Sequence, residues 1–186
     1  MKRLAAAAVL VISAAATVQA QEACPMEMDV PPMTLADMYA KAERIAKAWQ
    51  ADAVPARITN TSMGPLDAQG KSEAWNLTFY SAAADANVGI NTFRGMFTCY
   101  AQPGSAGRLP DLEPDFFRDG ARLYAIAKEK GGNFIAEGYE VSVQTAAAPD
   151  TRHATWYINY SKPDGGSAPR IVIIDANTGQ VEKVLD

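Results

Sequence analysis

The fold is decided by the stretch Trp75-Asn76-Leu77-Thr78-Phe79-Tyr80-Ser81 and by a similar one, Trp156-Tyr157-Ile158-Asn159-Tyr160-Ser161. In each, a Trp is followed by apolar side chains two and four positions later, which is the alternation of a half-buried strand. Each stretch also lies downstream of a segment with the apolar periodicity of an amphipathic helix. Because the same pattern occurs once in each half, we predict that both halves share one topology.

The first half predicts a helix followed by strands. Thr34 is a good N-cap with Asp37 three residues later, and the helix must end before Val54-Pro55. One side of this helix is apolar: Leu35, Met38, Tyr39, Ala42, Ile45, Ala46 and Trp49. Beside the Trp75 strand, we expect a strand over residues 57–62 and a hairpin over 88–100 with Gly95 in its turn.

The second half predicts the same order of elements. A helix is expected over residues 115–130, ended by Gly131-Gly132, and Tyr139, Val141 and Val143 alternate as a strand. After the Trp156 strand, a terminal hairpin is predicted around the turn Ala176-Asn177-Thr178-Gly179, because Asn and Gly tolerate the positive φ angles of such turns.

We therefore predict an α+β protein of two tandem repeats, each a helix packed on an antiparallel sheet. The first repeat covers residues 34–100 and the second 115–186, and residues 101–114, rich in Pro, Gly and Ser, form the linker. The alternative interpretation is a chance similarity of two strands that each contain Trp.

The N-terminus predicts export. Residues 1–20 resemble a cleaved signal peptide, with Lys2 and Arg3 before an apolar stretch and Val18-Gln19-Ala20 at the cleavage site. Cleavage leaves a lead segment, residues 21–33, before the first repeat. It also removes two positive charges, which takes the formal net charge from −4 to −6. This acidic balance argues against nucleic acid or an anionic membrane as the main partner. We expect a periplasmic protein, with secretion as the alternative, and no membrane insertion of the mature chain.

The two cysteines, Cys24 and Cys99, both follow the signal peptide. An oxidising compartment favours a disulfide between them, which would tie the lead segment to a strand of the first repeat. The alternatives are two free thiols, a metal site without a nearby His, or a lipid anchor on Cys24.

The sequence carries no recognisable catalytic constellation. His153 is the only histidine, and nucleophile elbows, phosphate loops and dinucleotide fingerprints are all absent. We therefore predict no catalytic residue and no cofactor, and His153 is interpreted as a solvated turn residue.

Several residues are candidates for binding. Met26, Met28 and Met33 are a possible Cu(I) site, because thioethers suit a soft ion, although such side chains also simply pack. The aromatic side chains Trp75, Phe79, Trp156 and Tyr160 would form a binding surface if they faced away from the helices. Their alternation with polar residues favours the core instead. At the tip of the terminal hairpin, Asn177 and Thr178 are further candidates.

The second half resembles the PepSY and PepSY-like families of exported bacterial proteins. The resemblance is carried by the helix, by Gly138-Tyr139-Glu140-Val141-Ser142-Val143, and by the hairpin over residues 173–181. In the first half, residues 91–95 stand at the position of that hairpin turn without keeping its sequence. The resemblance implies a cystatin-like helix and sheet for the second half, and the repeat pattern extends this to two tandem cystatin-like repeats. It also implies a role in inhibiting or modulating peptidases or in envelope sensing, and no catalytic residues to transfer.

Taken together, the sequence predicts a non-enzymatic periplasmic module that binds, inhibits or regulates an envelope or secreted protein. The alternative is a binder of a small ligand or of copper that uses a groove between the repeats. An enzyme is the third class of function. An exposed loop or sheet interface would favour the first, an enclosed pocket the second, and convergent polar groups with shifted pKa values the third.

Overall fold

The computed structural model describes residues 24, 26–61, 63–104, 107–147, 153–164 and 166–186. The predicted signal peptide lies outside these residues. The α+β prediction is confirmed, because a large antiparallel sheet carries a few helices on one face. None of the helices that the structure describes is long and apolar enough to cross a membrane.

Three helices and ten strands make up the described chain. The helices are α1 (Leu35–Trp49), α2 (Pro114–Phe117) and α3 (Gly120–Ala136). The strands of the first half are β1 (Met33–Thr34), β2 (Val54–Asn60), β3 (Lys71–Ser72), β4 (Trp75–Ser81), β5 (Ala86–Phe93) and β6 (Met96–Pro103). Those of the second half are β7 (Glu140–Ala147), β8 (Ala154–Ser161), β9 (Ser167–Asp175) and β10 (Val181–Leu185).

Eight of the strands form one continuous sheet in the order β10-β9-β8-β7-β2-β4-β5-β6, with every neighbouring pair antiparallel. Strands β1 and β3 pair separately. In each half, a long helix precedes four strands that lie side by side in chain order, and Trp75 and Trp156 both belong to the second of these four. The two halves meet where β2 lies beside β7.

The start of α1 is set by the predicted capping box. The Thr34 hydroxyl oxygen accepts the Asp37 backbone N–H at 3.1 Å, and the hydroxyl donates to the Asp37 carboxylate at 2.7 Å. The predicted apolar side of the helix is its buried side. Helix α1 ends at Trp49, before Pro55 of β2.

The second predicted helix is interrupted at Gly131 but does not end there. The backbone of Gly131 is not helical (φ −142°, ψ 29°), and a further helical segment follows it to Ala136. The missing side chain of Gly131 makes room for the ring of Tyr160 beneath it. The predicted start also differs, because a separate short helix, α2, precedes α3. Asp119 accepts the Arg122 backbone N–H at 3.0 Å and so caps the new helix start.

Two strand limits also differ from the prediction. Strand β2 starts at Val54 and includes Pro55, which is accommodated by a register shift between Pro55 and Arg57. Strand β6 extends to Pro103 and α2 begins at Pro114, so both ends of the predicted linker, residues 101–114, belong to regular elements.

The seam between β2 and β7 depends on buried polar side chains. Its ladder contains one register pair, Thr59 with Gln144. On one side of this pair, the Asn60 side-chain oxygen accepts the Val143 backbone N–H at 2.6 Å. On the other side, the Thr145 hydroxyl accepts the Ile58 N–H at 2.8 Å and donates to the Ile58 carbonyl at 3.2 Å. Asn60 and Thr145 therefore satisfy backbone groups that a regular ladder would pair.

The two core tryptophans give a first testable difference. The Trp75 indole N–H donates to the Met33 carbonyl at 2.8 Å, whereas the buried Trp156 indole N–H has no partner among the described residues. Both rings are fully buried, so replacement by Phe removes a similar volume at each position. We expect Trp75→Phe to lower the free energy of unfolding by about 1 kcal/mol more than Trp156→Phe, because only it breaks a hydrogen bond. Urea unfolding followed by far-UV circular dichroism measures both, and equal losses would contradict the assignment.

Candidate functional site

One face of the eight-stranded sheet is buried against the helices and the other is not. Along β4, the side chains of Trp75, Leu77 and Phe79 are buried, while those of Asn76 and Thr78 remain partly exposed. Neighbouring strands repeat this alternation in register. We call the side of the sheet that carries Asn76 and Thr78 the open face. It is rich in Asn, Thr, Gln and Tyr side chains.

A shallow pocket of about 380 Å³ lies on the open face where β2, β4, β5 and β6 run together. Gly89 lies directly opposite Tyr100 in the ladder. A Cβ at position 89 would lie 2.4 Å from Cζ of Tyr100, so the ring occupies space that only glycine leaves free. The remaining polar lining consists of Arg57, Asn76, Thr78, Asn87, Gln102 and Thr145.

Arg57 is the one charged side chain that lines this pocket. It is exposed and forms no ion pair with any residue in the described part of the chain. Around it are neutral groups that can both donate and accept hydrogen bonds. A planar guanidinium in such a setting suits a carboxylate, which it can bind through two parallel hydrogen bonds.

Beside the pocket, exposed methionines form an apolar edge. Glu27 and Phe97 exchange both backbone hydrogen bonds, at 3.1 and 2.9 Å, so the antiparallel register places Met28 opposite Met96. Met26, Met28 and Met96 are 68%, 62% and 37% exposed. We call these three residues the methionine edge. Methionine side chains are flexible and polarisable, so they pack well against varied partners.

The neighbours of the methionine edge show that it lies on the open face. Glu27 pairs with Lys41 of α1 at 2.6 Å, and the Lys41 ammonium lies 4.0 Å from the centre of the Phe97 ring. Glu27 and Phe97 therefore face the helices, and the residues on either side of them face away. The predicted third member of the methionine set, Met33, lies in β1 and packs against the core instead.

The predicted aromatic binding residues belong to the core. Trp75, Phe79, Trp156 and Tyr160 are all at most 1% exposed. Their interpretation as a binding surface is therefore corrected, since a side chain buried against the helices cannot contact a partner. Their alternation with polar residues favoured this placement. What the sequence does not reveal is that Asn76 and Thr78, the polar residues between Trp75 and Phe79 that point to the other face, line the candidate site.

The two residues predicted at the hairpin tip, Asn177 and Thr178, form hydrogen bonds within the molecule. The Asn177 side-chain oxygen accepts the Glu113 backbone N–H at 2.7 Å, and its amide donates to the Asp111 carbonyl at 3.1 Å. Asn177 therefore fastens the segment before α2 to the hairpin. Thr178 is exposed, and its hydroxyl accepts the Gln180 backbone N–H at 3.2 Å, which stabilises the turn itself.

The predicted disulfide between Cys24 and Cys99 is present, with a Cα–Cα distance of 5.9 Å. It ties the lead segment to β6 beside the methionine edge. Because both cysteines of the chain are bonded, a thiol nucleophile or thiolate metal site is ruled out for the oxidised protein. The bond is consistent with an exported protein.

His153 lies immediately before β8, near the carboxylates of Asp175 and Glu182. The interpretation of His153 as a solvated turn residue missed this cluster, because its members are brought together by the pairing of β8, β9 and β10. The resemblance to PepSY-like proteins stays a prediction, since comparison with protein-family models, with curated proteins and with solved structures finds no match.

Proposed function

We propose that this protein is a non-catalytic binding or inhibitory module of the cell envelope that holds another exported protein against its open face. In this proposal, Arg57 receives a carboxylate from a loop of the partner, and the methionine edge supplies apolar contact. The observation that carries the proposal is the guanidinium of Arg57, which lies in a pocket of neutral polar groups on the open face and has no ion-pair partner among the described residues.

The open face is large enough for a stable interface. Eight strands spaced about 4.8 Å apart and about 25 Å long present roughly 900 Å². A standard protein–protein interface buries about 800 Å² on each partner. A small ligand would need only the pocket, whereas the exposed methionine edge and the polar side chains around the pocket suit a broader surface.

The position of Arg57 favours a partner that differs from this chain. Strand β2 is central in the sheet, so a symmetric pair of copies joined through their open faces would bring two Arg57 side chains near each other. Two positive charges at the centre of an interface oppose association. A partner with an acidic loop would meet a complementary charge instead.

The order of elements supports a further part of the proposal, namely that the chain consists of two tandem cystatin-like repeats. Each half consists of a helix and four antiparallel strands in chain order, as two tandem cystatin-like repeats would have. Two such repeats, residues 34–100 and 115–186, would extend one sheet across both halves and so enlarge the binding face. Export by a cleaved signal peptide and a PepSY-like regulatory role in the periplasm belong to the same proposal.

A charge reversal tests the proposed interface. We expect Arg57→Glu to weaken partner binding by about tenfold to a hundredfold, because a charge-assisted hydrogen bond to a carboxylate contributes about 1.5–3 kcal/mol. The matched control is Lys128→Glu, which makes the same change of charge on an exposed position of α3, on the helix side of the sheet. Envelope proteins captured on immobilised wild-type protein are identified first, and their affinities for the wild type and both variants are then measured by biolayer interferometry.

The outcome is decisive when both variants keep the wild-type unfolding midpoint. Loss of binding in Arg57→Glu alone supports the open face. Equal binding by Arg57→Glu and the wild type, or equal loss in both variants, would show that the partner contacts another surface.

A further inference from the structure

Three potential metal ligands meet at the corner of the sheet where β8, β9 and β10 lie side by side. His153 immediately precedes β8, Asp175 ends β9 and Glu182 belongs to β10. The His153 Nε2 atom lies 2.5 Å from Glu182 Oε1 and 3.7 Å from Asp175 Oδ2. One ligand atom of each residue lies within 4.8 Å of the other two, and all three side chains are partly exposed.

Backbone pairing holds these residues in place. Asp175 lies opposite Thr155 in the ladder between β8 and β9, and the Ala176 N–H donates to the Ala154 carbonyl at 2.9 Å. Glu182 falls at the register shift between Val181 and Lys183 in the ladder between β9 and β10. Such an irregularity disrupts the ladder locally and changes the direction of a side chain. Here it accompanies a Glu182 carboxylate that reaches His153.

The two carboxylate oxygens of Asp175 have different partners. Oδ1 accepts the backbone N–H groups of Asn177 and Thr178, each at 2.8 Å. Oδ2 is the atom nearest His153. The carboxylate is therefore oriented by its neighbours, as metal ligands in proteins usually are.

We propose that His153, Asp175 and Glu182 form a zinc site with one coordination position open to solvent. One imidazole nitrogen and two carboxylate oxygens are ligands that Zn²⁺ accepts, and three protein ligands leave the fourth tetrahedral position for water or for a group of a partner. Calcium and magnesium prefer oxygen ligands throughout. This site is separate from the pocket at Arg57 and does not depend on the proposed function.

The distances between the ligand atoms suit a tetrahedral ion after small movements of the side chains. Ligand bonds of about 2.0–2.1 Å place neighbouring ligand atoms of a tetrahedron about 3.3 Å apart. The observed separations of 2.5 and 3.7 Å from His153 Nε2 lie on either side of this value. Rotation of the partly exposed Glu182 side chain supplies the adjustment. The alternative is a surface ion pair without a metal, which the experiment must separate from the zinc site.

Zinc titration of the chelator-treated full-length chain tests the proposal, with isothermal calorimetry as the measurement. We expect one Zn²⁺ per molecule, and we expect His153→Gln and Glu182→Gln each to weaken binding by about a hundredfold or more. Changes outside the ligand set already cost about tenfold to a hundredfold. Glu73→Gln is the matched control, because Glu73 is exposed and lies between β3 and β4, away from the three ligands.

The visible absorption of bound Co²⁺ is a second measurement, and it distinguishes a metal site from a surface ion pair. Co²⁺ in place of Zn²⁺ should give the intense visible absorption of a tetrahedral ion in the wild type and in Glu73→Gln, and should lose it in the two ligand variants. The metal-free unfolding midpoints show whether each variant is folded, and the exposed position of Glu182 makes Glu182→Gln the safer variant. No binding by the folded wild type, or unchanged affinity in both ligand variants, would show an ion pair only.

Discussion

Removing the disulfide between Cys24 and Cys99 should lower the free energy of unfolding by about 4 kcal/mol. The bond joins residues 75 positions apart, and a covalent loop of that length restricts the unfolded chain far more than the folded one. The double variant Cys24→Ala/Cys99→Ala avoids leaving a free thiol. Urea unfolding of the variant and of the oxidised wild type gives the difference.

The reducing agent supplies the control for this experiment. Reduced wild type should resemble the double variant, and the double variant should not respond to reductant. The lead segment also has non-covalent contacts, namely the backbone pairing of Glu27 with Phe97 and the ion pair of Glu27 with Lys41. A decrease in the free energy of unfolding below about 1 kcal/mol would contradict the predicted loop constraint. It would mean that the non-covalent contacts alone hold the lead segment on β6.

Gly131→Ala should destabilise the protein by about 2–3 kcal/mol, the range for forcing extra volume into a packed core. A Cβ at this position would lie 2.4 Å from Cζ of Tyr160. That ring cannot move freely, because it is buried and its hydroxyl donates to the Ala127 carbonyl at 2.7 Å. Burial also raises the pKa of Tyr160 to about 12, so the hydroxyl remains a donor at all ordinary pH values.

The neighbouring glycine provides the matched control. A Cβ on Gly132 would meet nothing within 4 Å, so Gly132→Ala should be neutral or stabilising by up to about 1 kcal/mol, as expected for alanine in a helix. Thermal unfolding of both variants measures the contrast. Equal effects at the two positions would contradict the close packing of α3 on Tyr160.

Local features of the fold could be predicted from the sequence. The capping box of Thr34 and Asp37 and the hairpin turn at Gly95 depend on residues close together in the chain, and both occur as predicted. Gly-Gly ordinarily indicates the end of a helix, and the backbone does leave the helical conformation at Gly131. The further helical segment to Ala136 and the contact of Gly131 with Tyr160 could not be predicted, because Tyr160 belongs to a distant strand.

The candidate site could not be predicted from the sequence for a different reason. Alternation along β4 divides its side chains between two faces, but it does not identify which face a helix covers. Arg57 follows a register shift, so its position on the open face does not continue the alternation from Val54. The polar residues Asn60 and Thr145 were equally hard to interpret, since each bonds to backbone more than 80 residues away in the chain. Glycine at position 89 within a strand was the one local signal of the pocket.

The pairing of the lead segment with the start of β6 also determines how copies of this protein can associate. A free strand edge is a template for another strand, and sheets joined end to end need two free edges on every molecule. The backbone of Glu27 and Val30 already forms hydrogen bonds with Phe97 and Gly95. The remainder of β6 carries the disulfide at Cys99 and ends at Pro103, which lacks an N–H. Among the strands that the structure describes, β10 is then the edge of the large sheet that can accept a new strand. A molecule with a single usable edge can pair with one other copy, but it cannot grow into a fibre.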